Sequence, residues 1–149
     1  MYKHILISTD GSETAQKGVD HGLSLAKNLG ARVTLMTVTE PFPFTASPSG
    51  LGWVPTKSDV DRYENVQKEH ADGILKPVKE AADKLGVEAA VLHVPDAQPA
   101  EAIVATAKAK DCSLIVMASH GRRGLGRLIL GSQTSEVLAH SSVPVLVVR

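Results

Sequence analysis

Residues Ala118-Ser-His-Gly121-Arg-Arg-Gly-Leu-Gly-Arg-Leu-Ile-Leu-Gly131-Ser132 join an apolar run, Leu114-Ile-Val-Met117, to a polar helix start at Ser132-Gln-Thr134. Glycine lets a backbone approach a ligand closely, and the first N–H groups of a helix attract anions. The pattern suits a phosphate cradled by the backbone N–H groups of Gly121, Gly131, Ser132 and Gln133, with the hydroxyls of Ser132 and Thr134 beside them. It is not a GxxxxGK[ST] loop, since no Gly-Lys-Ser/Thr follows. Nor is it a GxGxxG fingerprint, because Gly124-Leu-Gly126 runs on into Arg127-Leu-Ile129. The alternative is an ordinary strand-to-helix turn capped by Ser132. Arg122, Arg123 and Arg127 either assist the phosphates or, if exposed and screened, simply solubilise the loop.

A second polar loop, Thr9-Asp-Gly-Ser12, follows the first apolar run, Ile5-Leu-Ile7. A bare carboxylate beside a polyphosphate is repelled. Asp10 must therefore face ribose hydroxyls or share a divalent cation, unless it only caps a helix or bonds its own turn. The six histidines assemble no recognisable catalytic set. His120 lies inside the glycine loop, His70 falls on a helix face, His93 in a strand, and His4, His21 and His140 are structural or exposed. No H-E-x-x-H, GxSxG or Cys–His pattern occurs. Cys112 is the single cysteine, which excludes an internal disulfide and a cysteine metal cage. It reads as a small buried residue before a strand.

These residues need a scaffold. The 149 residues read as one domain, 1–149, with a substantial core. Sixteen basic and sixteen acidic residues balance, which removes any global electrostatic case for nucleic acid or an anionic membrane. The amino-terminal apolar run is too short for a signal peptide or a membrane span, so the expected location is cytoplasmic.

Short apolar runs alternate with stretches of helical period, which predicts an α/β fold. Strands are expected over 3–9, 32–39, 88–94, 114–118 and 143–148. Helices are expected over 12–30, 59–85, 98–110 and 132–140. The first helix would be capped by Ser12 and end at Gly30, with Ala15, Val19, Leu23 and Ala26 on its buried face. The second places Val60, Tyr63, Val66, His70, Ile74, Val78 and Leu85 on an inner stripe, with a kink or break near Leu75 ahead of Pro77. Between strand two and this helix, 40–58 is a Pro/Gly-rich loop carrying Phe42, Phe44 and Trp53, either a lid, a binding loop or a locally disordered stretch, or a segment stapled to the surface by its aromatics. The expected architecture is an open, mostly parallel five-stranded twisted sheet with helices on both faces, Rossmann-like and of the adenine-nucleotide-binding type. Its ligand would bind where strand order reverses, beyond the carboxyl ends of the strands.

The spacing Gly121-x9-Gly131-Ser132 resembles the second half of the universal stress protein nucleotide motif, Gly-x2-Gly-x9-Gly-Ser/Thr. Ile5-Leu-Ile-Ser-Thr-Asp-Gly-Ser12 resembles the family's opening and Val143-Pro-Val-Leu-Val-Val148 its closing strand. The resemblance covers essentially the whole chain. Its ATP-binding branch implies that Thr9 and Asp10 lie beside the nucleoside and that Val38 offers backbone groups to adenine. Met117 would then contact the nucleoside, with Gly121, Gly131, Ser132, Gln133 and Thr134 on the phosphates and His120 within the same loop. ATP with Mg²⁺ is the implied ligand, Asp10 being an indirect metal partner.

Ala118 stands where the motif's first glycine belongs, a strained substitution only if that position needs positive φ. The resemblance also implies a homodimer through antiparallel pairing of the 143–148 strands. There Val143, Val145 and Val147 would face one way and Leu146 and Val148 the other, both faces buried. The reading is a regulatory or protective stress-response module. Its rivals are a slow metal-dependent ATP hydrolase or adenylate-transfer enzyme, and a nucleotide-free dimeric interaction module.

Overall fold

Ile5, Leu6 and Ile7 are wholly buried although their side chains alternate between two faces, the mark of a strand covered on both sides. They form the middle of β1 (His4–Ser8), the centre of a five-stranded sheet whose order is β3-β2-β1-β4-β5. The other strands are β2 (Arg32–Val38), β3 (Ala89–Val94), β4 (Leu114–Ala118) and β5 (Val145–Val148), and every pairing is parallel. The computed structural model describes residues 1–44, 54–120 and 129–149. The expected sites at Gly121, Arg122, Arg123 and Arg127, and Trp53, lie outside them.

Helices α1 (Glu13–Leu29) and α2 (Lys57–Leu85) cover one face. Their side chains Val19, Leu23, Leu75 and Val78 pack on Ile5, Ile7, Val33 and Leu35. Helices α3 (Pro99–Ala109) and α4 (Ser132–His140) cover the other, where Ile103 and Val137 meet Leu6, Met36, Ile115 and Met117. The expected fold class is therefore the observed one.

Capping follows the sequence at α1. The Ser12 side chain accepts from Ala15 N, and Gly30 closes the helix in the left-handed region at φ 63°. The helix lies very close to the sheet. A Cβ on Gly22 would stand 2.5 Å from Ile7 Cδ1, and one on Gly18 would stand 3.1 Å from the Ala118 nitrogen.

Several expectations are corrected. α2 begins at Lys57, two residues inside the expected loop, because Thr56 and Asp59 form a reciprocal capping box. Those bonds from Thr56 hold the Asp59 carboxyl below its ordinary range. The helix passes Pro77 without the break expected near Leu75. Its buried residues are Ala71, Leu75, Val78 and Ala82, whereas Val66 is 58% exposed and Leu85 38%. Small alanines, invisible to a search for large apolar residues, carry half of the true stripe.

β5 starts at Val145, two residues later than expected, and is not buried on both faces. Val148 joins the α1/α2 side of the core, but Leu146 is 38% exposed at the sheet edge. Among the described residues, no helix is long and apolar enough to cross a membrane.

At the amino-terminal edge of the sheet, His4 is 8% exposed. Its Nδ1 lies 3.0 Å from the Lys110 carbonyl, which can only accept, so Nδ1 carries the proton. Nε2 then accepts from the Thr34 hydroxyl at 2.9 Å. Cys112, buried as expected, has its Sγ 3.7 Å from Nδ1, and burial pushes its thiol pKa up.

Burial, with Arg32 nearby, holds His4 below the ordinary histidine value, so the fold prefers the neutral ring. The unfolded chain binds the proton first as pH falls. The contribution of His4 is therefore complete above about pH 6.5 and is lost as pH drops through that value towards the lower folded one. Urea midpoints measured from pH 7.5 to 5 should fall less steeply for His4→Gln than for the unaltered chain.

Candidate functional site

β1 ends two residues before β2, and this opens the cleft. In a parallel pair each residue directs its N–H and C=O to one neighbouring strand, and successive residues alternate. Along β2, Val33 and Thr39 bond towards β3 (to Glu88 O and Val94 O), while Arg32 and Met36 bond towards β1 (to Lys3 O and from Thr9 N). Val38 therefore faces the β1 side, where the next rung would engage Thr9 and Gly11. Instead the chain turns away. Gly11 adopts φ 78°, a value that favours glycine, and its N–H bonds to Thr9 Oγ1 at 3.2 Å. Among the described residues, nothing pairs with the Val38 N–H or C=O.

The resulting crevice holds about 540 Å³, within the range of small-molecule sites. Thr9, Asp10 and Val38 line it from the β1 and β2 ends, and Met117, Ala118 and His120 from the β4 end. Gly131, Ser132, Gln133 and Thr134 line it at the start of α4. Every candidate residue in the described part of the chain thus borders one cleft, at the strand-order reversal between β1 and β4. Tyr63, Gln67, His70 and Ile74 of α2 complete it. Of these, the sequence reading placed only Tyr63, His70 and Ile74 on an inner stripe, and none in the site. Gln67 escaped because a polar residue interrupts an apolar count.

The side chains have defined duties. Asp10 Oδ1 accepts from Ser12 N at 2.9 Å, so the carboxylate bonds its own turn while bordering the cleft. Thr134 is buried, and its hydroxyl donates to the carbonyls of Ala118 and Ser119 at 3.0 and 3.2 Å. This hydroxyl clamps α4 to the end of β4. Ser119 O also accepts from the Gly131 N–H at 2.8 Å, so that N–H is already used. A Cβ on Gly131 would stand 3.1 Å from Ser119 O, which explains glycine at this point. His120 Nδ1 meets Ser119 Oγ at 2.9 Å, and its Nε2 bonds to the Ile129 carbonyl. Ala118 is an ordinary β4 residue paired with Val148 and has no positive φ, so its methyl is unstrained.

Two helix amino termini meet here, and they differ. The cap of α4 is Gly131, not Ser132 as in the alternative of an ordinary capped turn, and it makes no side-chain bond. The first helical turn bond runs from Ser135 N to Gly131 O. The N–H groups of Ser132, Gln133 and Thr134 have no acceptor among the described residues. α3 also lacks a bond from its own cap, Gln98, but Gln133 Oε1 accepts from Ala100 N at 3.0 Å. The Gln133 side chain thus stops the α3 end while the α4 end stays receptive to an anion.

The architecture is that of the doubly wound α/β proteins, which bind ligands at such a switch point. Comparison with known proteins narrows the class. The model of the universal stress protein family matches residues 1–149, and the chain belongs to that family. It is 35% identical to the universal stress protein YxiE of Bacillus subtilis, over 100% of both chains. It also superposes on the solved structure of protein MJ0577 of Methanocaldococcus jannaschii with a TM-score of 0.78. That match has 30% identity and covers 99% of this chain and 96% of the other. More distant members share the fold. One is a universal stress protein in complex with cAMP (TM-score 0.69, 21% identity, 99% and 97% covered), and another, from Archaeoglobus fulgidus, is in complex with dAMP (0.68, 18%, 99% and 98%).

Replacing Gln133 by alanine leaves the Ala100 N–H without its acceptor. The variant should lose about 1 kcal/mol of stability in urea denaturation, the scale of a removed helix cap.

Proposed function

We propose that this chain binds an adenine nucleotide, ATP with Mg²⁺, as a cytoplasmic, homodimeric regulatory or protective module. The observation that carries the reading is the pair of backbone groups on Val38, facing the same cleft as the open end of α4. A C=O beside an N–H suits the exocyclic amine and adjacent ring nitrogen of adenine. Guanine would set an acceptor oxygen against the Val38 carbonyl. Phosphates would sit on the N–H groups of Ser132, Gln133 and Thr134. Asp10 would face the ribose, and Thr9 and Met117 would border the nucleoside.

The charge balance supports the metal. Among the described lining residues, Asp10 and Glu40 are acidic and none is Lys or Arg. A polyphosphate entering there needs neutralisation by a divalent cation or by Arg122, Arg123 and Arg127. Among the described residues, no group of three or more His, Cys, Asp or Glu side chains is placed to hold a metal alone. Mg²⁺ would therefore arrive on the phosphates, with Asp10 as an indirect partner through water. The reading is of binding rather than turnover, since the chain carries no H-E-x-x-H, GxSxG or Cys–His pattern.

Mass spectrometry of nucleotide released from freshly purified protein, followed by calorimetry with ATP and Mg²⁺, tests the reading. Recovered or bound adenine nucleotide is the expected result, and neither release nor binding heat would overturn it. Gly131→Val pushes against Ser119 O and shifts the start of α4. It should weaken ATP by more than about tenfold while circular dichroism stays unchanged.

The dimer has its own test. Pro144 O and Val148 O face β4, so by alternation the backbone of Val147 faces outward. Val147→Pro removes an outer-edge donor and should leave a folded monomer at micromolar concentration in sedimentation, where the unaltered chain should run as a dimer.

A further inference from the structure

The inner stripe of α2 changes character along its length. At its carboxyl half Ala71, Leu75, Val78 and Ala82 are buried against the sheet. Towards its amino end the cleft-facing positions are Tyr63, Gln67, His70 and Ile74, spaced four, three and four residues apart on one side of the helix. At 1.5 Å per residue, Tyr63 and Ile74 stand about 16 Å apart along the axis.

Both ends of this polar stretch are fixed to the parts of the cleft already described. The Tyr63 hydroxyl donates to the carbonyls of Glu40 and Pro41, at 3.0 and 3.3 Å, just past the end of β2. Phe42 packs edge-on against its ring, with centroids 5.2 Å apart. At the other end Ile74 lies against Gly11, close enough that a Cβ there would come within 2.8 Å of Ile74 Cγ1. One anchor thus neighbours Val38 and the other Asp10. Gln67 sits between them, over the space where a base joined to a ribose would lie. It is partly buried, and its carboxamide has no hydrogen-bond partner among the described residues.

We infer that Gln67 is a specificity-determining residue that reads the base edge adjoining the one offered to Val38. The inference rests on the nucleotide reading above and adds the second edge to it. Val38 addresses N1 and one N6 hydrogen of adenine. The carboxamide of Gln67 donates through Nε2 to N7 and accepts the other N6 hydrogen at Oε1, the two-bond pairing that glutamine makes with adenine in nucleic-acid recognition. The anchored α2 fixes where the Gln67 backbone stands, so binding has only the side chain left to order. His70, one turn further on, would border the sugar.

The test is calorimetry of the full chain with Mg-ATP and Mg-7-deaza-ATP, the analogue with carbon in place of N7. The unaltered protein should bind 7-deaza-ATP about fivefold more weakly, the effect of one lost hydrogen bond. Gln67→Leu, which loses both bonds, should bind ATP at least as weakly as the unaltered protein binds 7-deaza-ATP and no longer distinguish the two ligands, with its melting temperature unchanged because Gln67 lies outside the core. Equal affinity of the unaltered protein for both ligands would overturn the role of Gln67 and leave nucleotide binding standing. A Gln67→Leu protein that keeps the preference would do the same. Binding of neither ligand by the unaltered protein would overturn both.

Discussion

Everything at the functional end depends on where β1 stops pairing. A parallel ladder that continued one more rung would satisfy the Val38 backbone and close the sheet over itself. Gly11 prevents this by taking a conformation in which its N–H turns back to Thr9. The interruption costs backbone hydrogen bonds within the fold and leaves a donor and an acceptor side by side at the cleft wall. Thr9 still donates to Met36 O, so the strand is held in register up to the last residue before it departs.

The opposite wall is built by economy of polar groups rather than by their abundance. Thr134 and the Gly131 N–H are spent on fixing α4 to the end of β4. Gln133 spends its side chain on the neighbouring helix. What remains unspent is backbone, and backbone N–H groups at a helix start have both the geometry and the dipole for an anion. Two groups expected in the cradle are thus engaged elsewhere. The hydroxyl of Thr134 and the N–H of Gly131 hold α4 to the end of β4, while the main-chain N–H of Gln133 stays open as expected.

Much of this was legible in the residues. Alternating apolar runs gave the five parallel strands, and the limits of β4 and α4 matched their expected ranges, because glycine, serine and abrupt polarity changes mark both ends. The meeting of the Thr9–Asp10 loop with the Ala118–His120 loop was to be expected only if the first and fourth strands flank the switch point, and the strand order puts them there. The structure was needed where local signals mislead. Val66 and Leu85 look like core residues, yet they lie off the face that Ala71 and Ala82 bury. Pro77 looks like a breaker, yet tertiary packing of Leu75 and Val78 on either side of it holds the helix together. Val143 looks like part of a strand, yet Ser141 Oγ bonds both to its N–H and to its C=O and keeps it in a turn. Gln67 carries no sequence signal at all, since only the axial rotation of α2 brings it to the cleft.

The two halves of α2 also differ in what secures them. From Ala71 onward the helix is part of the core, whereas its first three to four turns rest on the capping box and on Tyr63 with Phe42. Amide hydrogen exchange would therefore divide this helix into two foldons. Its carboxyl half opens only with global unfolding, and its amino half opens in a local event of lower free energy. One side of the cleft thus has a stability of its own, and anything that bridges it to the sheet draws that half into the cooperative unit of the domain.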